Sequence, residues 1–109
     1  MKEKLLPPIH PGEILHEDLM KPLGLSQNKL AQELAVDPGR INQIVAGRRG
    51  ITADTALRLA RYFGTTPEFW MNLQARYDLE TAKDAKAAEI EKKVRVRSKS
   101  ECVPALGNA

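Results

Sequence analysis

The sequence predicts an all-α domain of five helices built around a helix-turn-helix, followed by a charged tail. Three observations lead there. Residues 25–49 write two short amphipathic helices with a three-residue joint between them. Apolar residues recur at helical spacing on both sides of that pair. Most of the five predicted helices open on a polar capping residue or a proline at the first helical position. At 109 residues and 42% hydrophobic, the chain has enough apolar mass for one small core and little more.

Taken in order, residues 1–8 read as an extended leader, because Pro7-Pro8 lack two backbone donors and stiffen the approach to the fold. Helix 1 starts at His10-Pro11-Gly12-Glu13, with His10 assisting the start and Ile9 expected to staple onto Ile14. Ile14, Leu15 and Leu19 form its buried side, and Lys21-Pro22 and Gly24 end it. Helix 2 has Ser26 as N-cap and Leu30, Ala31 and Leu34 on one face. The pattern stops at Ala35-Val36 and restarts at Asp37-Pro38, where Ile41, Ile44 and Val45 supply the face of helix 3 and Gly47 closes it. Leu25 staples onto Leu30 and Val36 onto Ile41, so both approach angles are fixed and the short joint forces a steep crossing, a helix-turn-helix.

Thr52 caps helix 4, which runs to about Phe63 and is expected to bury Ala56, Leu57, Leu59, Ala60 and Phe63 while Arg58 and Arg61 stay in solvent. Gly64 closes it, and Thr66-Pro67-Glu68 opens helix 5. From Leu79 to about Lys93 the chain is rich in Ala, Glu and Lys and reads as a continued or fraying helix. Residues 94–109 have nothing to bury and are expected to be disordered. The division is therefore a leader over 1–8, a helix-turn-helix domain over 9–81, and a tail over 82–109 that is partly helical and then disordered.

Charge separates along the chain. Residues 1–81 hold ten Lys/Arg and ten Asp/Glu, so the whole net charge of +3 lies in residues 82–109. Inside the domain Glu13, Glu17 and Asp18 make helix 1 acidic, while Val36 to Gly64 holds five Arg and two Asp. That polarity suits one nucleic-acid face and a second, differently charged surface. Cys102 is the only cysteine, which fits a reducing interior, and no apolar run approaches bilayer length or has the form of a signal peptide. A cytoplasmic protein is expected.

The polar face of helix 3 carries the chemistry. With Ile41, Ile44 and Val45 inward, Arg40, Asn42 and Gln43 are left outside. Arg grips guanine O6/N7, and Asn or Gln grips adenine N6/N7, in bidentate fashion. Arg48 and Arg49 follow at the helix exit, placed for phosphates. Other motifs come to nothing. Ser26 and Lys29 have serine–lysine nucleophile spacing, but Ser26 is already a cap and no second motif accompanies it. His10 and His16 fall on different helix faces with no cysteine near, so no metal site is expected. No Gly-rich phosphate loop exists; neither a cofactor nor an enzyme is expected. The stripe Phe69, Trp70, Leu73 and Tyr77 on helix 5 has two readings, core packing against helices 1 and 4 or a dimer interface.

Residues 26–49 resemble the phage-repressor-type helix-turn-helix family, through SQxxLA at Ser26–Ala31 and IxxIxxG at Ile41–Gly47. More narrowly, HPGEIL at His10–Leu15 and the stretch Gly50–Glu80 resemble the HigA-type antitoxins. The resemblance implies a homodimeric DNA-binding antitoxin and autorepressor, partnered with a small basic mRNA-cleaving toxin. It implies a phosphate-contacting role for Gln27, with Asn28 beside it, and a base-reading role for Gln43. Two departures follow. The head of helix 3 is Pro38-Gly39, with no side-chain donor, so specificity would rest on Arg40, Asn42 and Gln43. The turn position usually held by glycine is Ala35, at a cost of roughly 1–2 kcal/mol if it is left-handed. The acidic trio Glu13, Glu17 and Asp18 is the surface expected to meet a basic toxin. A stand-alone repressor without a toxin is the alternative, and a pure protein-binding module would have no use for Arg40 or Gln43.

Overall fold

The computed structural model describes residues 7–97; the expected leader falls on this range only at Pro7 and Pro8, and the tail beyond Arg97, with Cys102, lies outside it. Among the described residues there are five helices and no strands: α1 (residues 11–23), α2 (Gln27–Leu34), α3 (Pro38–Val45), α4 (Ala53–Phe63) and α5 (Pro67–Lys93). No helix of the described residues is long and apolar enough to cross a membrane.

The caps sit where side-chain chemistry puts them. His10 Nδ1 accepts from Gly12 N at 2.9 Å, Ser26 Oγ from Lys29 N at 3.0 Å, Asp37 Oδ2 from Gly39 N at 2.9 Å and Thr66 Oγ1 from Phe69 N at 3.1 Å. Each satisfies an otherwise orphaned helix donor. Thr52 Oγ1 faces Thr55 N at a longer 3.5 Å.

α1 does not stop before Pro22. It runs as Pro11–Ile14, a widened turn over Leu15–Met20, and Lys21–Leu23. Pro22 has no N–H and its ring would crowd the carbonyl four residues back. The chain relieves this by a π-type bulge, in which Lys21 N reaches His16 O instead of the residue four back. Gly24, left-handed at φ 68°, then closes the helix with Leu25 N on Met20 O at 2.9 Å.

The core joins all five helices: Leu15 and Met20 of α1, Leu30, Ala31 and Leu34 of α2, Ile41 and Ile44 of α3, Ile51 ahead of α4, Ala56 and Leu59 on it, and Trp70 of α5. Leu25, Val36, Val45, Phe63 and Leu73 pack against it from its edge. Trp70 is wholly buried, with its indole N–H donating to Thr65 Oγ1 at 2.8 Å. It is therefore a core residue of the protomer and not part of a dimer interface.

Two expectations about α1 and α4 are also corrected. Leu57 is 59% exposed, because the face that meets the core is Thr55, Ala56, Leu59 and Ala60. Ile9 is half exposed, so it staples Ile14 incompletely.

α5 changes character along its length. Its first three turns pack on the domain, whereas Leu79 and Ile90 are more than half exposed. There the helix rests on alanine-rich propensity and i,i+4 pairs: Arg76 with Glu80 at 3.4 Å and Lys93 with Glu89 at 3.1 Å.

Candidate nucleic-acid interface

α2 and α3 are joined by a turn at Ala35, which is left-handed at φ 59°. Ala35 N and Val36 N close α2 on Gln32 O and Ala31 O, at 3.1 and 3.0 Å. An alanine is tolerated there because a long-range bond supports the turn. Arg58, on α4, donates from Nη1 to Leu34 O at 2.9 Å and to Ala35 O at 3.3 Å. Its Nε pairs with Asp54 at 2.9 Å. Arg58 thus caps α2 from another helix, where the sequence suggested a solvated side chain.

The same carboxylate takes Arg40. Arg40 Nη1 lies 2.7 Å from Asp54 Oδ2 and 3.3 Å from Thr55 Oγ1. The two guanidiniums hold the Asp54 carboxyl below its ordinary range, chiefly through their hydrogen bonds. Arg40 is therefore turned onto α4 at the first turn of α3, with its side chain 30% exposed, whereas the sequence alone left it beside Asn42 and Gln43 on the outer face. It sits one residue before the buried Ile41, on the flank of the apolar face.

Asn42 and Gln43 are exposed, as expected for an outward face, and Arg48 and Arg49 are exposed at the helix exit. Gln27, the first residue of α2, is half-buried and Asn28 is exposed. The first turn of α3 has a local explanation for its glycine. A Cβ at Gly39 would lie 2.8 Å from Asp37 Oδ2, so glycine leaves room for the cap. The surface can thus offer amides to base edges from α3 and guanidiniums to phosphates from its exit.

The exit itself is gripped from two sides. Gly47 is left-handed at φ 78°, and Arg48 N bonds Gln43 O at 2.8 Å. From below, Gln74 of α5 accepts Ile51 N on Oε1 at 2.6 Å and donates from Nε2 to Asp78 at 2.9 Å. From the side, α1 presses its N-terminus against the end of α3 so closely that a Cβ on Gly12 would lie 1.8 Å from Ile44 O. His10 stands beside it, edge-on to Tyr77 at 4.8 Å. Desolvation lowers the His10 pKa, opposed by Asp78 and by the Arg49 main chain. Sequence reasoning placed His10 at the start of α1 without its packing on Tyr77, left Arg58 in solvent, and gave Gln74 no role.

Of the remaining expected surfaces, Phe69 is exposed and Leu73 and Tyr77 are half-buried. Leu73 and Tyr77 line a groove of about 300 Å³ with Pro7, Pro8, Ile9 and Ile14. Glu13, Glu17 and Asp18 are all exposed on α1. Glu17 pairs with Lys21 at 3.0 Å and His16 at 3.1 Å, which lower its pKa. No group of His, Cys, Asp and Glu that could hold a metal occurs among the described residues.

Two short helices joined by a left-handed turn, with exposed amides and arginines on the second helix and its exit, define a helix-turn-helix protein. The helix-turn-helix family model matches residues 17–70. The chain is 52% identical to a solved addiction module antidote protein of the HigA family from Coxiella burnetii, over 84% of this chain and all of that one, with a TM-score of 0.79. It is 46% identical to the antitoxin HigA of Pseudomonas aeruginosa, solved with the higBA promoter, over 81% of this chain and 96% of that one, with a TM-score of 0.79. It is also 58% identical to virulence-associated protein I of Dichelobacter nodosus, over 74% of this chain and 75% of the relative. The chain belongs to the HigA family of helix-turn-helix antitoxins.

Proposed function

We propose that this chain is the antitoxin of a type II toxin–antitoxin pair, which acts in the cytoplasm as a homodimer, represses its own operon and neutralises a small basic mRNA-cleaving toxin. The observation that carries the DNA part is the outward placement of Asn42 and Gln43 on α3, with Arg48 and Arg49 exposed at its exit. The P. aeruginosa relative solved with the higBA promoter supports the same reading. Gln27 and Asn28 at the start of α2 serve phosphates, where helix N–H groups already favour an anion. Arg40 contributes by holding α3 in place.

Two copies are needed because one recognition helix reads too few base pairs. The dimer surface is assigned to Phe69, Leu73 and Tyr77 with the groove beside them, and excludes Trp70. The toxin surface is assigned to the acidic side of α1. Glu13 and Asp18 have no ion-pair partner among the described residues, and they carry most of its available charge beside the paired Glu17. Complementary charge of this kind raises association rates more than affinity.

The test has two arms. A duplex from upstream of the gene should be shifted in preference to random duplex, in a salt-dependent manner. Co-expression with the neighbouring gene, followed by purification through a tag on this chain, should recover a small basic protein. A shift without a captured partner would favour a stand-alone repressor, and capture without a shift would remove the DNA-binding role.

A further inference from the structure

The segment Ala46–Thr52 has no regular structure to hold it, yet it carries both arginines of the α3 exit. Ordering such a loop costs backbone entropy, so something must offset it if the arginines are to be presented in one geometry. Its first half is fixed by the closure of α3, Gly47 N on Ile44 O at 3.0 Å and Arg48 N on Gln43 O at 2.8 Å. Its second half is fixed only from outside. Gln74 of α5 takes the Ile51 N–H at 2.6 Å, and Gly50 lies so close that a Cβ there would be 3.0 Å from the Gln74 amide. His10, ahead of α1, stands against the loop from the other side, where a Cβ on Gly47 would lie 4.0 Å from its ring. Ile51 is 3% exposed, so its N–H has no ready solvent to replace a lost acceptor.

We infer that His10 and Gln74 are positioning residues of the DNA surface: a two-sided clamp, built from the start of α1 and from α5, that fixes the Gly47–Ile51 loop and through it aims Arg48 and Arg49 at phosphates. This rests on the reading of α3 and its exit as the DNA face. Neither residue needs to touch DNA for the clamp to work. Because Tyr77 packs on His10 and Asp78 bonds Gln74, the clamp also joins the loop to the half-buried turn of α5.

The salt dependence of operator binding separates this role from a general loss of stability. Each phosphate contact contributes about 0.9 to the log–log salt slope. The full chain and Gln74→Met are titrated against the upstream duplex across a salt series, at a temperature where circular dichroism shows both folded. The variant keeps length and volume but loses the acceptor for Ile51 N. Its affinity should fall about tenfold and its salt slope should flatten by about 1–2, the loss of the two arginine contacts. Exchanging the polarity of the pair, Gln74→Glu together with Asp78→Asn, restores an acceptor for Ile51 N and a donor between the side chains, and should restore both quantities. His10→Asn is the independent variant. It keeps a capping acceptor for Gly12 N, removes the ring that stands beside Gly47, and should flatten the slope in the same sense. An unchanged slope in both Gln74→Met and His10→Asn overturns the clamp. A parent chain that shifts no duplex overturns the DNA reading and the clamp with it; a parent that shifts while the variants match it removes the clamp alone.

Discussion

The turns on either side of α3 meet the same need by different chemistry. The turn before it is closed by a left-handed alanine and held by charge: Arg58 on the Leu34 and Ala35 carbonyls, and Asp54 bridging Arg58 to Arg40. The turn after it is closed by a glycine and held by neutral groups, His10 and Gln74, with Gly12 packed against the end of the helix. The first lock lies partly in solvent and should weaken with salt. The second is closer-packed, insensitive to salt, and exposed to acid through one imidazole. Two unlike locks on one helix mean that its two ends can be loosened separately.

The largest effect should come from the close contact behind the second turn. Gly12→Ala forces a methyl into the Ile44 carbonyl, where only main-chain movement makes room. The expected loss is about 3 kcal/mol or more, read as a lowered denaturation midpoint. A variant as stable as the parent would show that α1 can slide on α3.

At the first turn, Arg58→Met should cost about 1 kcal/mol, a charged hydrogen bond discounted for partial exposure. Ala35→Gly should act in the opposite sense, relieving up to about 1 kcal/mol of left-handed strain. Combined, Ala35→Gly should soften the Arg58→Met loss, since both act on one turn. Strict additivity in a double-mutant cycle would mean that Arg58 does not support Ala35.

Acid should discriminate the turns more gently. The folded His10 pKa is lowered, so the unfolded chain binds the extra proton more readily. The contribution is fully present above the unfolded value near 6.5 and is lost as pH falls through the folded value. Protonation also removes the Nδ1 acceptor for Gly12 N. Stability should therefore decline on mild acidification, and His10→Asn should flatten that part of the profile. An equally steep profile in His10→Asn would assign the titration to another group.

What the sequence made legible was local. Ser26, Asp37 and Thr66 announce their helices because a cap bonds within three residues of itself, and the apolar spacing of Leu30, Ile41 and Leu59 needs no knowledge of their partners. The left-handed turn at Ala35 was visible as a departure from glycine. What supports it was not, since Arg58 is more than twenty residues away and looks like any solvated arginine on a helix. The same distance hid Gln74, whose acceptor for Ile51 N lies across the fold. The Arg40–Asp54 pair was hidden too, because a helical wheel separates inside from outside but does not say that Asp54 waits at the boundary. Trp70 and Tyr77 share a stripe in the sequence, yet burial divides them: one fills the core and the other faces a groove.

On the proposed reading, Gln43 of α3 reads a base and Arg40 holds the helix. The most direct measurement compares Gln43→Ala with Arg40→Ala on operator and random duplex at one salt concentration. Gln43→Ala should lose about 1–3 kcal/mol on the operator and little on random duplex. Arg40→Ala should lower the melting temperature and leave the ratio of the two affinities as it was. If Arg40→Ala instead collapses that ratio while Gln43→Ala preserves it, Arg40 leaves Asp54 to read a base, and the lock before the helix is not what the structure assigns it to be.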